Sequence, residues 1–576
     1  MKHKIAYGVA VAATIALGTA ACSSSSSSSS SAPSSTSSGS PISAAQGKPL
    51  TIVTTELSPM TDNFNPFMAT GTGYTMHVQD LYNLPLAVYN TQNASQAPTD
   101  ELGTAFKWSP DGKTLTITVR PGVKWSDGTP VTGADVAYTF QTISATANAS
   151  MDQYQEPNVV SATSSGQTAT LTFATSEVAN QFSILQVPIV PQHIWSKQST
   201  PATWTDPTPV SDGPFELGTF NAQGFTLKAN PDYYAASSIS VPSVNVPAYS
   251  SNATLLTPTA SGTIDWSGTS IVGVQSNYLA KSSSNTLWTS SSPYFADNNV
   301  VGLFFNTTKP GLNNADVRKA ISDVINRQQV ATTGESGNEP PASTGAGILP
   351  GQSSFIPAAD VNDLSATGNS SDVTTLMKAA GYAMVGDSWE KGGQKVTLAI
   401  QDPSTYTDYA SDAGLIATQL KAAGFNASTD LDGGANGPTE WTTNLNNGNF
   451  TAAIMWGQQG LTPYNTYDNW MDYTKSAPIG KPAGADIGRF DDPAAQAALT
   501  AYSAATSPAQ EQAAITTLAG IEESQVPVAP LLYGASWAEF STRDYTGWPS
   551  ASNPYSDPGP NPTEILAIIP HLKPVS

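Results

Sequence analysis

Four histidines and one cysteine are the whole stock of imidazole and thiol chemistry in this chain of 576 residues. His3 and His571 lie close to the two ends, and His77 and His193 have no metal-ligand spacing around them. The patterns HExxH, GxSxG, GxxxxGK[ST] and CxxC do not occur. Asp430 and Asp432 beside Gly433 and Gly434 suggest part of a calcium loop. The third acidic ligand and the closing glutamate of an EF-hand are missing, so a polar turn is expected there. This inventory argues against an enzyme, a bound metal or a cofactor, and it directs attention to side chains that bind rather than react.

Cys22 is the exception, because its position is informative. Lys2 and Lys4 precede an apolar run from Ile5 to Leu17, and small residues then lead to Ala21-Cys22. That is the layout of an export signal, too short to span a membrane. Cys22 resembles the acylated cysteine of a bacterial lipoprotein. Thr19 stands where such signals usually carry a large aliphatic residue, which leaves cleavage without lipidation open. Nine serines follow Cys22, then Ser, Pro, Thr and Gly to about Gly39. A segment with so little to bury is expected to act as a flexible tether, residues 22–47.

The chain holds 23 basic and 44 acidic residues, a net charge of −21, and losing a leader with Lys2 and Lys4 would make it more acidic still. Such a surface repels nucleic acid. Charged residues make up only 12% of the sequence, so its polar surface is mainly Ser, Thr, Asn and Gln. A lone cysteine allows no internal disulfide. The stability of about 530 residues beyond the tether must come from packed cores of several domains.

Short Val/Ile-rich runs begin with a strand at Lys48 to Thr55. Residues 108–140 then alternate Leu115, Ile117 and Val119 with threonines between turn signals at Asp111-Gly112 and Asp127-Gly128, which predicts hairpins. Thr132 and Asp135 form a capping-box pattern that starts a helix. Val317, Ile321, Val324 and Ile325 share one face of a helix predicted to run from Asp316 through Val330. Helices at 373–380 and 413–423 end at Gly381 and Gly424, with strands at 395–400 and 450–455 between and after them. A strand-rich first half and an alternating second half indicate a mixed α+β, α/β chain.

The segment LGTAFKWSPDGKTLTITVRPGVKWSDGTPVTGADVAYTF, residues 102–140, resembles the signature region of the family 5 extracellular solute-binding proteins. IVPQHIW at 189–195, DGPFELGTF at 212–220, NPDYY at 230–234, GLFFNTTKP at 302–310, RFDDP at 489–493 and QVPVAPLLY at 525–533 follow in the family's order. The resemblance implies a two-lobed periplasmic-binding-protein-like fold with a hinge, of class II, cluster C type. Lobe 1 would comprise residues 48–88, 208–297 and 539–576, lobe 2 residues 298–538, and an inserted β-rich domain residues 89–207. It implies a monomeric receptor that holds a peptide, or alternatively an oligosaccharide, in the interlobe cleft and delivers it to the permease of an ABC importer. A lipid-anchored hydrolase or adhesion protein is the more distant alternative.

The resemblance also points to residues. Trp441 and Trp456 match positions that line the ligand cavity, and their indoles suit peptide side chains or the apolar faces of sugars. Asn83 in QDLYNLPL matches a cleft-edge strand, Asn306 in FFNTTK a crossing between lobes, and Trp266 in IDWSG is a further candidate. Peptide-binding relatives carry an aspartate three residues after the position of Trp456, where it pairs with the peptide ammonium. Gln459 stands there, and Asp468 is the acid that an altered register would substitute.

Overall fold

The computed structural model describes residues 47–54, 60–145, 158–249, 251–345, 347–358, 360, 363–432 and 437–575. Cys22, the export signal and the serine tether lie outside the described residues, as do Gly433 and Gly434. Among the described residues no helix is long and apolar enough to cross a membrane. Nor is any group of three or more His, Cys, Asp or Glu among them placed to hold a metal ion.

The fold is mixed α/β with two lobes, each built on its own sheet. The first sheet has seven strands in the order Asn285–Thr286, Glu539–Ser541, Trp266–Ser267, Leu50–Val53, Ser243–Pro247, Gly224–Ala229 and Phe215–Asn221. Leu50–Val53 is parallel to both of its neighbours. It therefore lies in mid-sheet, with Leu50 and Ile52 fully buried on one face and Val53 buried on the other, as a strand covered on both faces must be. A separate four-stranded antiparallel sheet orders Gly103–Trp108, Thr114–Val119, Thr168–Phe173 and Val159–Ser165. The predicted turn between its first two strands forms with Gly112 at φ 67°, a conformation that a side chain would strain. The helix Gly133–Ile143 packs against this sheet. Its capping box is present, with Asp135 Oδ2 accepting from Thr132 N at 2.8 Å and Thr132 Oγ1 accepting from Ala134 N at 3.2 Å.

The second lobe is built on five strands in the order Asn426–Asp432, Thr397–Pro403, Ala452–Trp456, Ala296–Phe305 and Val528–Ser536. Thr397–Pro403 runs parallel to both neighbours, so its C-terminal end and that of Ala452–Trp456 open on the same edge. Side chains of Ala296–Phe305 alternate between two cores. Val301, Leu303 and Phe305 enter one and Val300 and Phe304 the other, as the two-residue period of a strand requires. Ala296–Phe305 and Val528–Ser536 pair along their length, from Ala296 opposite Ser536 to Phe304 opposite Val528. Gln92 braces the start of this pair, with Nε2 donating to Asp297 O at 2.9 Å and to Asp557 Oδ2 at 2.7 Å.

The helix predicted from Asp316 through Val330 is shorter than its apolar stripe. It spans Ala315–Val324, and Ile325 turns extended with ψ at 119°. Asn326 then starts a new turn, its Oδ1 accepting from Gln329 N at 2.9 Å. The break lets the buried Arg327 reach inward, where Nε donates to Pro530 O at 2.6 Å and Nη2 to Ser322 Oγ at 2.7 Å. A continuous helix would spread Ile325 and Arg327 around its surface instead of burying both.

Candidate functional site

The strand Ala452–Trp456 ends at the cleft. Its first three residues are buried, whereas Trp456 at the C-terminal edge is 39% exposed. The helix Gly437–Asn447 brings Trp441 beside it, with Leu445 one turn further on in the core. Trp441 is only 3% exposed. The two indole centroids are 5.8 Å apart with planes tilted by 40°, and Tyr406 lies 6.2 Å from each ring. Of these three rings Trp441 is buried, Tyr406 is half-buried and Trp456 is the most open.

After Trp456 the backbone turns tightly. Gly457 N donates to Val300 O at 2.8 Å, and a Cβ at this position would meet that same carbonyl at 3.0 Å. Glycine allows the approach, which sends Gln458 and Gln459 into a cavity of about 600 Å³. Phe182 and Gln186, from the chain that follows the four-stranded sheet, line a second side of this cavity. Residues of the first lobe close it, with His77 and Asp80 from one segment and Asn561 to Glu564 from another.

The first-lobe wall is rich in buried acid. Asp80 is 1% exposed in the turn Gln79–Leu81, and neither of its carboxyl oxygens has a hydrogen-bond partner among the described residues. Burial, then the charges of Glu564 and Glu101, push its pKa well above the usual carboxylate range. Glu564 is buried in the helix Pro562–Ile568, and burial followed by Asp557 pushes it up to about 8. His77 Nδ1 lies 3.2 Å from Pro560 O, and burial lowers its pKa. Its neutral ring thus donates from Nδ1 and keeps Nε2 as an acceptor. Among the described residues, neither Lys nor Arg lines the cavity.

The structure places the six predicted ligand residues in three kinds of surroundings. Trp441 and Trp456 pack together on the second lobe, and Gln459, three residues past Trp456, lines the cavity, whereas neither indole does. Trp266 does not reach it. This ring is fully buried in mid-sheet between Phe540 and Trp548, and its Nε1 donates to Pro558 O at 3.1 Å. Asn306 is likewise structural. Its Nδ2 donates to Gly448 O and Phe450 O at 2.9 and 3.1 Å and its Oδ1 accepts from Thr308 N, so no capacity remains for a ligand. Asn83 is buried at 1% exposure after a 3-10 turn, not on a cleft-edge strand, and it does not line the cavity. Leu84-Pro85 limits the next strand to Ala87–Val88. Asp468 is also unavailable, since Lys475 Nζ donates to its Oδ1 at 2.7 Å.

Residues 97–478 match the bacterial extracellular solute-binding proteins, family 5, in that family's middle region. The chain belongs to this family. Family 5 proteins are substrate-binding receptors, and relatives of this one bear matching descriptions. The chain is 26% identical over 274 residues to the oligopeptide-binding protein OppA of Bacillus subtilis, covering 43% of this chain and 49% of that protein. It is 29% identical over 177 residues to a putative ABC transporter peptide-binding protein of Brucella abortus, covering 30% and 32% respectively. The aligned stretches thus span half or less of these relatives' own length.

Structural likeness extends further than sequence likeness. A periplasmic oligopeptide-binding protein of Thermotoga maritima superposes with a TM-score of 0.82 at 21% identity, over 92% of this chain and 100% of that one. The structure of the same protein bound to mannohexaose gives a TM-score of 0.75 over 92% of this chain and 99% of that one. The oligopeptide-binding protein AppA of Bacillus subtilis, in complex with a nonapeptide, gives 0.69 at 14% identity over 92% of this chain and 99% of that chain. Identities this low establish the fold and leave the ligand to this chain's own cleft.

Sequence reasoning missed the first-lobe wall. Asp80 lies in the same QDLYNLPL segment that was quoted for Asn83, and Glu564 is the one charge inside the otherwise apolar PTEILAII. An acid in an apolar helical run was the available signal.

Proposed function

We propose that the chain is the substrate-binding component of an ABC importer, a receptor without enzymatic activity that captures a peptide between its lobes outside the cytoplasm. The observation that carries this reading is the cavity itself. It is walled by both lobes and by the segment after the inserted sheet, so a ligand touching all walls stabilises the closed arrangement. The two strands that cross between the lobes are the hinge about which closure turns, and residues 48–88, 208–297 and 539–576, 298–538 and 89–207 form its parts. The ligands named for OppA and AppA support a peptide. We further propose that Cys22 carries a lipid anchor, with the serine run as its tether, and that the receptor works as a monomer.

An oligosaccharide is the second reading. It is favoured by Gln459, which supplies no charge, by the open indole face of Trp456, and by the mannohexaose complex of the Thermotoga maritima protein. Thermal-shift screening of the purified protein against peptides and oligosaccharides separates the two. A ligand at one hundred times its dissociation constant adds about 2.7 kcal/mol of stability. Melting temperatures unmoved by every peptide would refute the peptide reading.

A further inference from the structure

The cleft contains an acid that nothing among the described residues partners. Asp80 is buried, both of its carboxyl oxygens lack a hydrogen bond among the described residues, and it lines the cavity. An ionised carboxylate in such a place is costly unless a cation joins it. The nearest charges make matters worse, because Glu564 and Glu101 are both acidic. Glu101 is satisfied elsewhere, accepting from Tyr234 Oη at 2.8 Å. Glu564 faces the same cavity as Asp80.

The neighbouring groups are acceptors as well. His77 donates from Nδ1 to Pro560 O and so keeps Nε2 as a lone-pair nitrogen, and no Lys or Arg lines this cavity among the described residues. Across the cavity stands Gln459, whose Nε2 is buried without a partner among the described residues and available to a carbonyl oxygen. The walls therefore match a solute with several donors on a positive group at one end and an acceptor near the other lobe. Asp402 and Asp412 in the second lobe are also buried with both oxygens unpartnered among the described residues, and neither lines the cavity.

We propose that Asp80, with Glu564 beside it, is the counter-charge for a cationic group of the solute, an ammonium or a guanidinium, on the first-lobe wall of the cleft. This rests on the reading of the cleft as the receptor's binding site, and it restricts the substrate class to solutes that carry a positive charge. Gln459 then loses the duty of holding the ammonium and becomes a donor to the solute's backbone. Burial raises the pKa of Asp80 and so favours its neutral form while it is alone, and an arriving cation favours the charged form.

The test compares unmodified peptides free of Lys and Arg, the same peptides N-acetylated, and mannohexaose, on the wild type and on Asp80→Asn, by thermal shift and calorimetry. Free-amine peptides are expected to bind the wild type. Acetylation and Asp80→Asn should each weaken binding by about tenfold to a hundredfold, the range for a hydrogen bond to a charged group. The two losses should not add, because each removes the same pair. Asp80→Asn is isosteric and removes an unpaired buried acid, so the ligand-free variant should melt at or above the wild type. Free and acetylated peptides binding the wild type equally would overturn the assignment and leave the peptide receptor standing. So would an Asp80→Asn loss that is the same for both peptide forms. Binding of mannohexaose alone, or of none of the probes, would overturn this proposal and the peptide reading together. Should Asp80→Asn fail to fold, the wild-type comparison of free with acetylated peptides decides the matter by itself.

Discussion

Replacing Trp456 and Trp441 by alanine, one at a time, should divide the loss differently between folding and binding although the two rings touch. Trp441 is 3% exposed within a core that includes Leu445, Phe450 and Trp470. Truncating a buried aromatic of this kind removes its transfer energy and leaves a cavity, about 3 to 5 kcal/mol. Trp456 is 39% exposed, so water fills the space left by truncation and no closed cavity forms. With roughly 100 Å² of apolar surface lost at about 25 cal/mol per Å², the cost to folding is about 2.5 kcal/mol. For binding the order reverses. A ligand can stack only on the open face of Trp456, and losing an aromatic anchor of a desolvated site costs about 2 kcal/mol or more, some thirtyfold in affinity.

The assay measures the denaturant midpoint of each ligand-free variant and the dissociation constant of a screened ligand for each folded variant. Trp441→Ala should show the larger loss of stability, and its affinity, where folded, should fall because Trp456 loses its backing. Trp456→Ala should lose less stability than Trp441→Ala and bind about thirtyfold more weakly. A Trp456→Ala protein with unchanged affinity for the ligand would refute the reasoning, since the exposed indole would then have no part in the site.

Asp402 is fully buried with neither oxygen hydrogen-bonded among the described residues, and burial followed by the charge of Asp408 pushes its pKa from 3.8 up to about 8. Below pH about 4 it is protonated folded or unfolded, and between there and pH about 8 only the unfolded chain ionises, so stability falls by about 1.4 kcal/mol per pH unit as pH rises. Asp402→Asn should therefore stabilise the ligand-free protein increasingly from pH 4 to pH 8, and an advantage that does not grow with pH in urea titrations would count against a neutral Asp402. Arg327→Ala should cost about 3 kcal/mol or more by leaving Pro530 O and Ser322 Oγ without their donors in the core, read as a lowered urea midpoint, and a change under 1 kcal/mol would contradict the burial argument. Cys22→Ala should move the protein from the membrane fraction to the medium or leave its leader uncut; fractionation and N-terminal mass unchanged from wild type would rule out the anchor.

Local rules in the sequence determined much of the scaffold. The alternation of Leu115, Ile117 and Val119, the capping pair Thr132 and Asp135, and the helix-ending Gly381 and Gly424 act over a few residues. The structure shows each where the pattern puts it, with both glycines at positive φ. The ordered landmarks from residue 102 to 533 were enough to identify the family, because each rests on turns and packing within its own segment.

The site was legible only in part, since its walls come from segments hundreds of residues apart. Trp456 and Trp441 look alike in sequence, and only the end of a strand and the inner face of a helix decide that one is open and the other buried. Asn306 and Trp266 were read as ligand residues because side-chain type cannot reveal who occupies a hydrogen-bonding group. Backbone carbonyls at Gly448, Phe450 and Pro558 take them. Asp80 and Glu564 lie 484 positions apart, yet they face one cavity and Glu564 raises the cost of ionising Asp80. That electrostatic relation depends on distance through space and on the exclusion of water, and only the tertiary structure sets either.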